Sequence, residues 1–550
     1  MKKAQYPYYE VERIDNLNEM AEKCADRYGD AAAFTFACGK KEIKTVSYRQ
    51  FKSEVNQLGA VFYSMGLQNA RIAIIGENSY EWILAYFAAV TRACVAVPID
   101  RELTAEEIAG ILSHCECGAL VFSDTYSDIR DKIESSGLRI EHFINMKSIS
   151  GLLEKGKELL SKGEAEAVNN RIDNDAAAVI VYTSGTTGVS KGVMLSQKNL
   201  CADTAASLAS LHFEGKSLLV LPLHHTFTFT GNVLVMFYSG TTIAINKSLK
   251  NMSGDLIRHK PQNMLCVPLL LETLYKKIWE NAQKSGKDRL LKKLIKISGV
   301  LLLCGIDVRR RLFKSVLAAL GGNIDTIISG GAPLDVKYVK GFRDFGINVL
   351  NGYGISECAP VVAVNRNEYY RDGSVGLPLR SCEVRLSGEN ENGEGEILVR
   401  GDNVMLGYYK NEQATKEAFD GEWFKTGDIG RLDKDGFLYI TGRIKNLIIL
   451  SNGKNVYPEE LEMKLLDIPL ISEALIRGED DQICAEIFLN KGYIKENNIE
   501  DPEAALQKEI DRLNKTLPLF KCIARVRLRD TEFPKTSSKK IKRSYQEAER

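Results

Sequence analysis

Several things are missing from this chain, and each absence closes a class of function. No uninterrupted apolar run approaches the roughly 18 residues of a membrane span, so no transmembrane helix is expected. Charge of one sign is missing too. The 73 Lys+Arg stand against 72 Asp+Glu, for a net charge of +1, which argues against a general nucleic-acid binder and against a strongly acidic or basic partner. Cysteine is present but unorganised. Of twelve, scattered from Cys24 to Cys522, only Cys115 and Cys117 stand close together, with His114 before them. No second ligand pair follows at finger-like spacing, so a zinc site is not expected. Unpaired cysteines in a chain this size fit a reducing cytoplasm better than secretion. The opening M-K-K-A-Q-Y-P-Y-Y-E has two lysines but no apolar core behind them, so it does not read as a signal peptide. Internal repeats and low-complexity tracts are absent as well.

What remains is ordinary globular material, 550 residues that are 44% hydrophobic and 26% charged. At a prior of about 150 residues per domain this suggests about three or four structural units. From Arg71 the chain reads R-I-A-I-I-G, S-Y-E-W-I-L-A-Y-F-A-A-V, C-V-A-V-P-I, T-A-E-E-I-A-G-I-L and A-L-V-F-S. Short β-branched runs alternating with helix-length segments predict βαβ units and a mostly parallel sheet. Strand-like runs return at 217–223, 264–268 and 326–331. After about Leu379 short strands punctuated by glycine predict a small antiparallel or barrel-like unit. From Lys445 onward helices and strands alternate over about a hundred residues, a length that can fold alone. The predicted fold is therefore α/β, with a large body at 1–442 and a small α+β domain at 443–550.

The most informative stretch is Y-T-S-G-T-T-G-V-S-K-G, Tyr182 to Gly192, which follows the apolar run A-A-A-V-I-V. Three glycines, five Ser/Thr hydroxyls and one lysine in eleven positions suit a loop that turns backbone N–H groups toward phosphate oxygens. The expected context is strand, loop, helix. It is not a Walker A sequence, because counting from Gly185 puts Ser190 where the second glycine must be.

This stretch resembles the signature of the AMP-forming acyl-adenylating superfamily, which includes acyl-CoA synthetases, adenylation domains of peptide synthetases and firefly luciferase. Further matches follow in the family's order: L-P-L-H-H-T-F (221–227), S-G-G-A-P-L (329–334), N-G-Y-G-I-S-E (351–357), W-F-K-T-G-D (423–428), G-R-I-K-N-L-I (442–448), N-G-K-N-V-Y-P-E-E-L-E (452–462) and P-K-T-S-S-K-K-I-K-R (534–543). The set resembles long-chain fatty acid–CoA ligases most.

The resemblance implies a role for each motif. A carboxylate that attacks the α-phosphate of ATP meets anionic repulsion, so cations and oriented donors must surround the transferring group. Thr183, Ser184, Gly185, Thr186 and Thr187 would hold the β- and γ-phosphates, with Lys191 adding charge. Glu357 and Thr183 would hold Mg²⁺, which takes one or two carboxylates plus phosphate oxygens. Tyr353 would stack on adenine, with Gly331, Ala332, Asn351, Gly352 and Ser356 around the nucleotide. Asp428 would accept both ribose hydroxyls, and Arg443 would make a second ribose contact. His225 would close the acyl pocket near the α-phosphate, and His224 is expected to be structural. Lys540 would bridge the α-phosphate and the attacking carboxylate, although Lys539 stands where the family usually has glycine. Lys445 would be the pivot of the last hundred residues, and Gly453 would let a pantetheine arm of coenzyme A pass close to the backbone.

The resemblance thus implies activation of a fatty acid, of medium to long chain, as acyl-adenylate and its transfer to coenzyme A. Two alternatives stand beside it: delivery to the phosphopantetheine of an acyl carrier protein, and a catalytically silent nucleotide-binding homologue. Residues 276–314 hold 12 Lys/Arg and three acids among apolar runs. They read either as a peripheral membrane-surface element or as a solvated helix covering an acyl tunnel.

Overall fold

A computed structural model of the chain describes residues 6, 8–39, 42–92, 94–135, 137–162, 172–183, 191–451, 454–535, 541 and 543. The chain divides into two compact units, Met1–Val384 with Val399–Phe424 and Arg385–Leu398 with Lys425–Arg550.

The first unit is built on two sheets. One has seven strands in the order Gly407–Tyr408, Lys191–Ser196, Ala177–Thr183, Val95–Pro98, Arg71–Ile75, Cys117–Phe122 and His142–Asn145. The predicted βαβ units lie at its parallel end, where Arg71–Ile75 pairs in parallel with Val95–Pro98 and with Cys117–Phe122. The helix between the first two, Tyr80–Val90, is apolar on all sides and buries every residue except Glu81. An all-round apolar helix can sit only inside a core. Ser79 caps it, its hydroxyl accepting from the Trp82 N–H.

The other sheet has nine strands. Six consecutive strands of it, Asn348–Gly354, Thr326–Ser329, Asn263–Cys266, Lys216–Leu219, Thr242–Ile245 and Ala32–Cys38, are parallel. Leu218, Met264, Ile327, Phe342 and Phe345 share the core on one of its sides. The run expected at 217–223 stops as a strand at Leu219. Pro222 has no N–H to continue a ladder, and the chain turns into L-P-L-H-H-T-F instead. Buried Asn78 holds that turn: its amide donates to Leu221 O at 2.9 Å and its oxygen accepts from Leu223 N–H at 3.1 Å.

One expectation is corrected. The glycine-rich segment does not lead from a strand into a helix. It joins two antiparallel strands, with Thr183 opposite Lys191 and Tyr182 opposite Gly192. The run K-G-V-M-L-S carries alternating apolar residues that fit a strand, and Ser196 delays the helix to Gln197, accepting from Asn199 N–H as its cap. The helix N-terminus is therefore displaced from the loop by a whole strand. Residues 184–190 lie outside the described residues.

In the second unit, Asp428 and Arg443 face each other on the antiparallel strands Trp423–Leu432 and Leu438–Arg443. A three-stranded sheet of Ile471–Glu479, Gln482–Leu489 and Ile523–Arg529 packs under helices Pro458–Leu466 and Pro502–Asn514. Leu461, Leu465, Ile476, Ala485 and Ile510 form a separate core there, the mark of a unit that can fold by itself.

Segment 276–314 runs from the helix Pro268–Lys284 through Asp288–Leu303 and Arg309–Leu312. In Asp288–Leu303 only Leu291 and Ser298 are buried, whereas Val300 is 61% and Leu303 90% exposed. No helix among the described residues is long and apolar enough to cross a membrane.

Helix Gln197–Ser210 also buries a carboxyl group, Asp203, completely. Burial pushes this carboxyl well above the usual carboxylate range, against the pull of the Val361 backbone and the Asn403 side chain. The folded chain then holds a proton that the unfolded chain releases above about pH 4. Stability from this group is full below that pH and falls as pH rises toward the folded value, by about 1.4 kcal/mol per pH unit. Asp203→Asn, similar in size and never ionised, is expected to remove that slope. Its apparent unfolding midpoint should gain on the parent's between pH 5 and pH 8, and a difference that does not vary with pH would refute the protonated-Asp203 assignment.

Candidate functional site

The loop that carries Glu357 is shaped by its glycines. Strand Asn348–Gly354 ends in the turn Ser356–Cys358, and the chain returns antiparallel as Val361–Val364. At Gly354 a Cβ would stand 2.1 Å from Pro360 O, so only glycine permits this approach. Glu357 is half-buried at the turn. The Tyr408 hydroxyl donates to Glu357 Oε1 at 3.0 Å, and Met405 N–H donates to its backbone carbonyl at 2.8 Å. Burial first, and then the Glu357 charge, push the Tyr408 hydroxyl far above its ordinary value. It therefore remains a proton donor throughout the neutral range.

Lys191 opens the strand opposite Thr183. Its Nζ lies 4.7 Å from the centroid of the Tyr408 ring, within cation–π range. The strand Gly407–Tyr408 pairs antiparallel with the same Lys191 strand, Tyr408 facing Val193. Sheet pairing thus brings Lys191, Tyr408 and Glu357 together from three distant parts of the sequence.

The histidine pair lies nearby. His224 is buried with Nε2 3.4 Å from Asp100 Oδ1, and its ring centroid is 4.1 Å from that of His225. His225 is half-buried and leads into Thr226–Thr228. The Thr226 hydroxyl lies 3.2 Å from that of Ser356, joining this segment to the Glu357 turn. Beyond it a π-helical turn, Phe229–Leu234, is anchored by Phe229, whose ring centroid is 3.7 Å from that of Tyr86. Such π turns are frequent at functional sites.

Gly331 and Ala332 follow strand Thr326–Ser329, and Asn351 to Tyr353 lie near the carboxyl end of its parallel neighbour, with Ser329 opposite Asn351. Ligands of open α/β sheets bind at that end of the strands. Gly331 has φ +84°, a conformation that L side chains rarely adopt. Asn351, Gly352, Tyr353 and Ser356 are half-buried, and Ala332 is exposed.

In the second unit Asp428 is 2% exposed, and Arg443 Nε donates to its Oδ1 at 2.6 Å. Its backbone N–H donates to the Thr426 hydroxyl at 3.0 Å, and that hydroxyl donates to Ile397 O at 2.8 Å. Lys445 is exposed in the short turn Ile444–Asn446. Ser184, Gly185, Thr186, Thr187, Gly453 and Lys540 lie outside the described residues.

Cys115 and Cys117 are buried, and all twelve cysteines are free. The neighbouring His114 ring bonds to the Tyr182 hydroxyl instead. Among the described residues no three His, Cys, Asp or Glu are grouped to hold a metal. One half-buried carboxylate, Glu357, is the donor set of a cation that arrives with its phosphates, which fits Mg²⁺. Sequence reading did not single out Tyr408, Thr226 or Asn78. The only available signal was G-Y-Y in a glycine-punctuated region, and it says nothing about what the ring faces.

Comparison with known proteins gives two family matches: the AMP-binding enzyme family over residues 21–409 and the AMP-binding enzyme C-terminal domain over 445–549. Long-chain-fatty-acid–CoA ligase FadD15 of Mycobacterium bovis is 35% identical over 442 residues, covering 76% of this chain and 72% of that protein. Long-chain-fatty-acid–CoA ligase ACSBG2 of Rattus norvegicus is 29% identical over 514 residues, covering 86% and 77%. The fold matches that of o-succinylbenzoate CoA synthetase from Bacillus subtilis in complex with its acyl-adenylate, with a TM-score of 0.77, 23% identity and coverage of 98% and 99%. Matched along most of its length in both sequence and fold, the chain belongs to the AMP-binding enzyme family.

Proposed function

We propose that this protein is an ATP-dependent, AMP-forming ligase that joins a fatty acid to coenzyme A. The observation that carries the reading is the arrangement of Lys191, Tyr408 and Glu357, in a chain 35% identical to a long-chain-fatty-acid–CoA ligase. It sets a cation and a half-buried carboxylate against one buried phenol.

In the first step a fatty-acid carboxylate oxygen attacks the α-phosphorus of ATP, the bond to the bridging oxygen breaks, and pyrophosphate leaves. In the second the thiol sulfur attacks the acyl carbon and AMP leaves. Lys191 and the loop at Thr183 to Thr187 bind the β- and γ-phosphates. Glu357 and Thr183 would hold Mg²⁺, which supplies charge neutralisation at the phosphates. Tyr353 with Gly331, Ala332 and Asn351 receives the base, Gly352 and Ser356 lie around the nucleotide, and Asp428 with Arg443 takes the ribose. His225 borders the acyl carboxylate, a place supported by the Thr226–Ser356 contact. Lys540 serves adenylation, Lys445 is the pivot between the two half-reactions, and Gly453 leaves room for the pantetheine arm.

The deciding experiment is pyrophosphate release against a panel of carboxylates, with coenzyme A or a holo carrier protein as acceptor. Release that needs a fatty acid and ends in acyl-CoA supports the reading. Transfer to the carrier protein alone would move the acceptor to that partner. No release with any carboxylate would leave a silent nucleotide binder.

A second part of the reading concerns place. Segment 276–314 contacts an anionic membrane surface through Asp288–Leu303. In this helix Leu290, Ile297, Val300 and Leu303 are exposed among Lys292, Lys293 and Lys296, the composition of an interfacial helix. Each basic residue near such a surface contributes about 1 kcal/mol. The protein is expected to sediment with phosphatidylserine vesicles at low salt and to be released by salt. Lys292→Glu with Lys293→Glu should weaken binding at least tenfold. Absence of binding at low salt would leave only the tunnel-covering role.

A further inference from the structure

We infer that Tyr408 is a positioning residue that holds the Glu357 carboxylate and the Lys191 ammonium apart and ready for a metal–nucleotide complex. The inference rests on the ligand roles proposed above for those two side chains. Tyr408 is 9% exposed, and its backbone is fixed on both sides. Its N–H donates to the Thr415 hydroxyl at 2.9 Å, while Leu406 N–H and Tyr409 N–H donate to Met194 O at 3.0 Å and Gly192 O at 2.7 Å. These bonds hold the backbone that carries the ring, and burial of the side chain leaves it little room to move.

Its two polar faces serve different partners. The hydroxyl donates to Glu357 at 3.0 Å, and the π face receives Lys191 at 4.7 Å. Without the ring, a lysine and a glutamate that both contact the same side chain would gain by pairing. Such a pair would spend each charge on the other and lower the field available to phosphate and metal. Among the described residues Lys191 and Glu357 form no ion pair, and the phenol is what each touches instead. A hydrogen bond to one carboxylate oxygen also fixes the rotation of the carboxylate while leaving the other oxygen open. Preorganisation of this kind costs nothing when the ligand arrives.

Two variants separate the functions of the ring. Tyr408→Phe keeps the face under Lys191 and removes only the bond to Glu357. The Mg²⁺ concentration for half-maximal pyrophosphate release is expected to rise five- to tenfold, with kcat at saturating Mg²⁺ within about twofold of the parent. Mn²⁺ binding in the presence of a non-hydrolysable ATP analogue, read by electron paramagnetic resonance, should weaken by the same factor. Tyr408→Leu removes both contacts. It should raise KM for ATP as well, and Lys191→Ala should then cost at least fivefold less than it costs in the parent.

A purely structural tyrosine would lower the unfolding midpoint and raise every KM alike, without a selective shift in metal dependence. That result, or unchanged metal dependence in Tyr408→Phe, overturns the inference. A parent that binds Mn²⁺ with the analogue but releases no pyrophosphate overturns the ligase reading and leaves the positioning role to be decided by the binding arm. A parent that binds no Mn²⁺ with the analogue overturns both.

Discussion

Lys540→Ala is expected to slow acyl-adenylate formation a hundredfold or more while leaving the conversion of supplied acyl-adenylate and coenzyme A to acyl-CoA nearly intact. A cation that bridges the attacking carboxylate and the α-phosphate stabilises charge that exists only while the new P–O bond forms. Removing it takes a few kcal/mol from that one transition state, or about two powers of ten. The second half-reaction expels AMP from a carbonyl carbon and has no carboxylate nucleophile to neutralise. In the proposed mechanism Lys540 would have no charge to bridge there, and a pivot at Lys445 would withdraw it. The two rates are measured separately, as pyrophosphate release with ATP and fatty acid and as thioester formation from synthetic acyl-adenylate. Equal loss in both would mean that Lys540 is structural or that the half-reactions share one arrangement. Lys535, which forms an isolated antiparallel bridge with Ile541 across this segment, supplies a control. It already pairs with Glu473 and Glu532, so its replacement should affect neither half-reaction selectively.

Much of this architecture could be read from the sequence because each βαβ strand is a short apolar run closed by glycine, proline or a capping residue. R-I-A-I-I-G became Arg71–Ile75, and S-Y-E-W-I-L-A-Y-F-A-A-V became the buried helix Tyr80–Val90 with Ser79 at its cap. The loop context was misread because K-G-V-M-L-S is too short for its period to separate strand from helix. The tertiary pairing with Ala177–Thr183 decided it. Within the candidate site, Asp428 and Arg443 could each be picked out by motif, but the ion pair between them comes from strand register. Tyr408 could not be picked out at all. Its hydroxyl meets a carboxylate 51 positions away and its ring meets a lysine from another strand, and no local period in the sequence encodes either distance.

Asp428→Ala is expected to raise KM for ATP by a factor of thirty to several hundred, with KM for the fatty acid within about threefold of the parent. In the proposed role, two ribose hydroxyls would donate charge-assisted bonds to the Asp428 carboxylate, which is 2% exposed. Losing them costs about 2–4 kcal/mol when the diol is left without acceptors. Arg443 bears on the size of the effect. It already occupies Oδ1 at 2.6 Å, which fixes the carboxylate's orientation before nucleotide binds. Because the Arg443 side chain is 52% exposed, freeing it returns the guanidinium to water at little cost. The loss should therefore appear in nucleotide binding rather than in folding. Asp428→Asn retains an acceptor but loses the charge, so it should fall between alanine and the parent. Arg443→Ala leaves the carboxylate in place and should raise KM for ATP less than tenfold. Steady-state kinetics at fixed, saturating Mg²⁺ and fatty acid read all three. Unchanged ATP kinetics in Asp428→Ala would remove Asp428 from the nucleotide site and leave it as half of a hairpin ion pair.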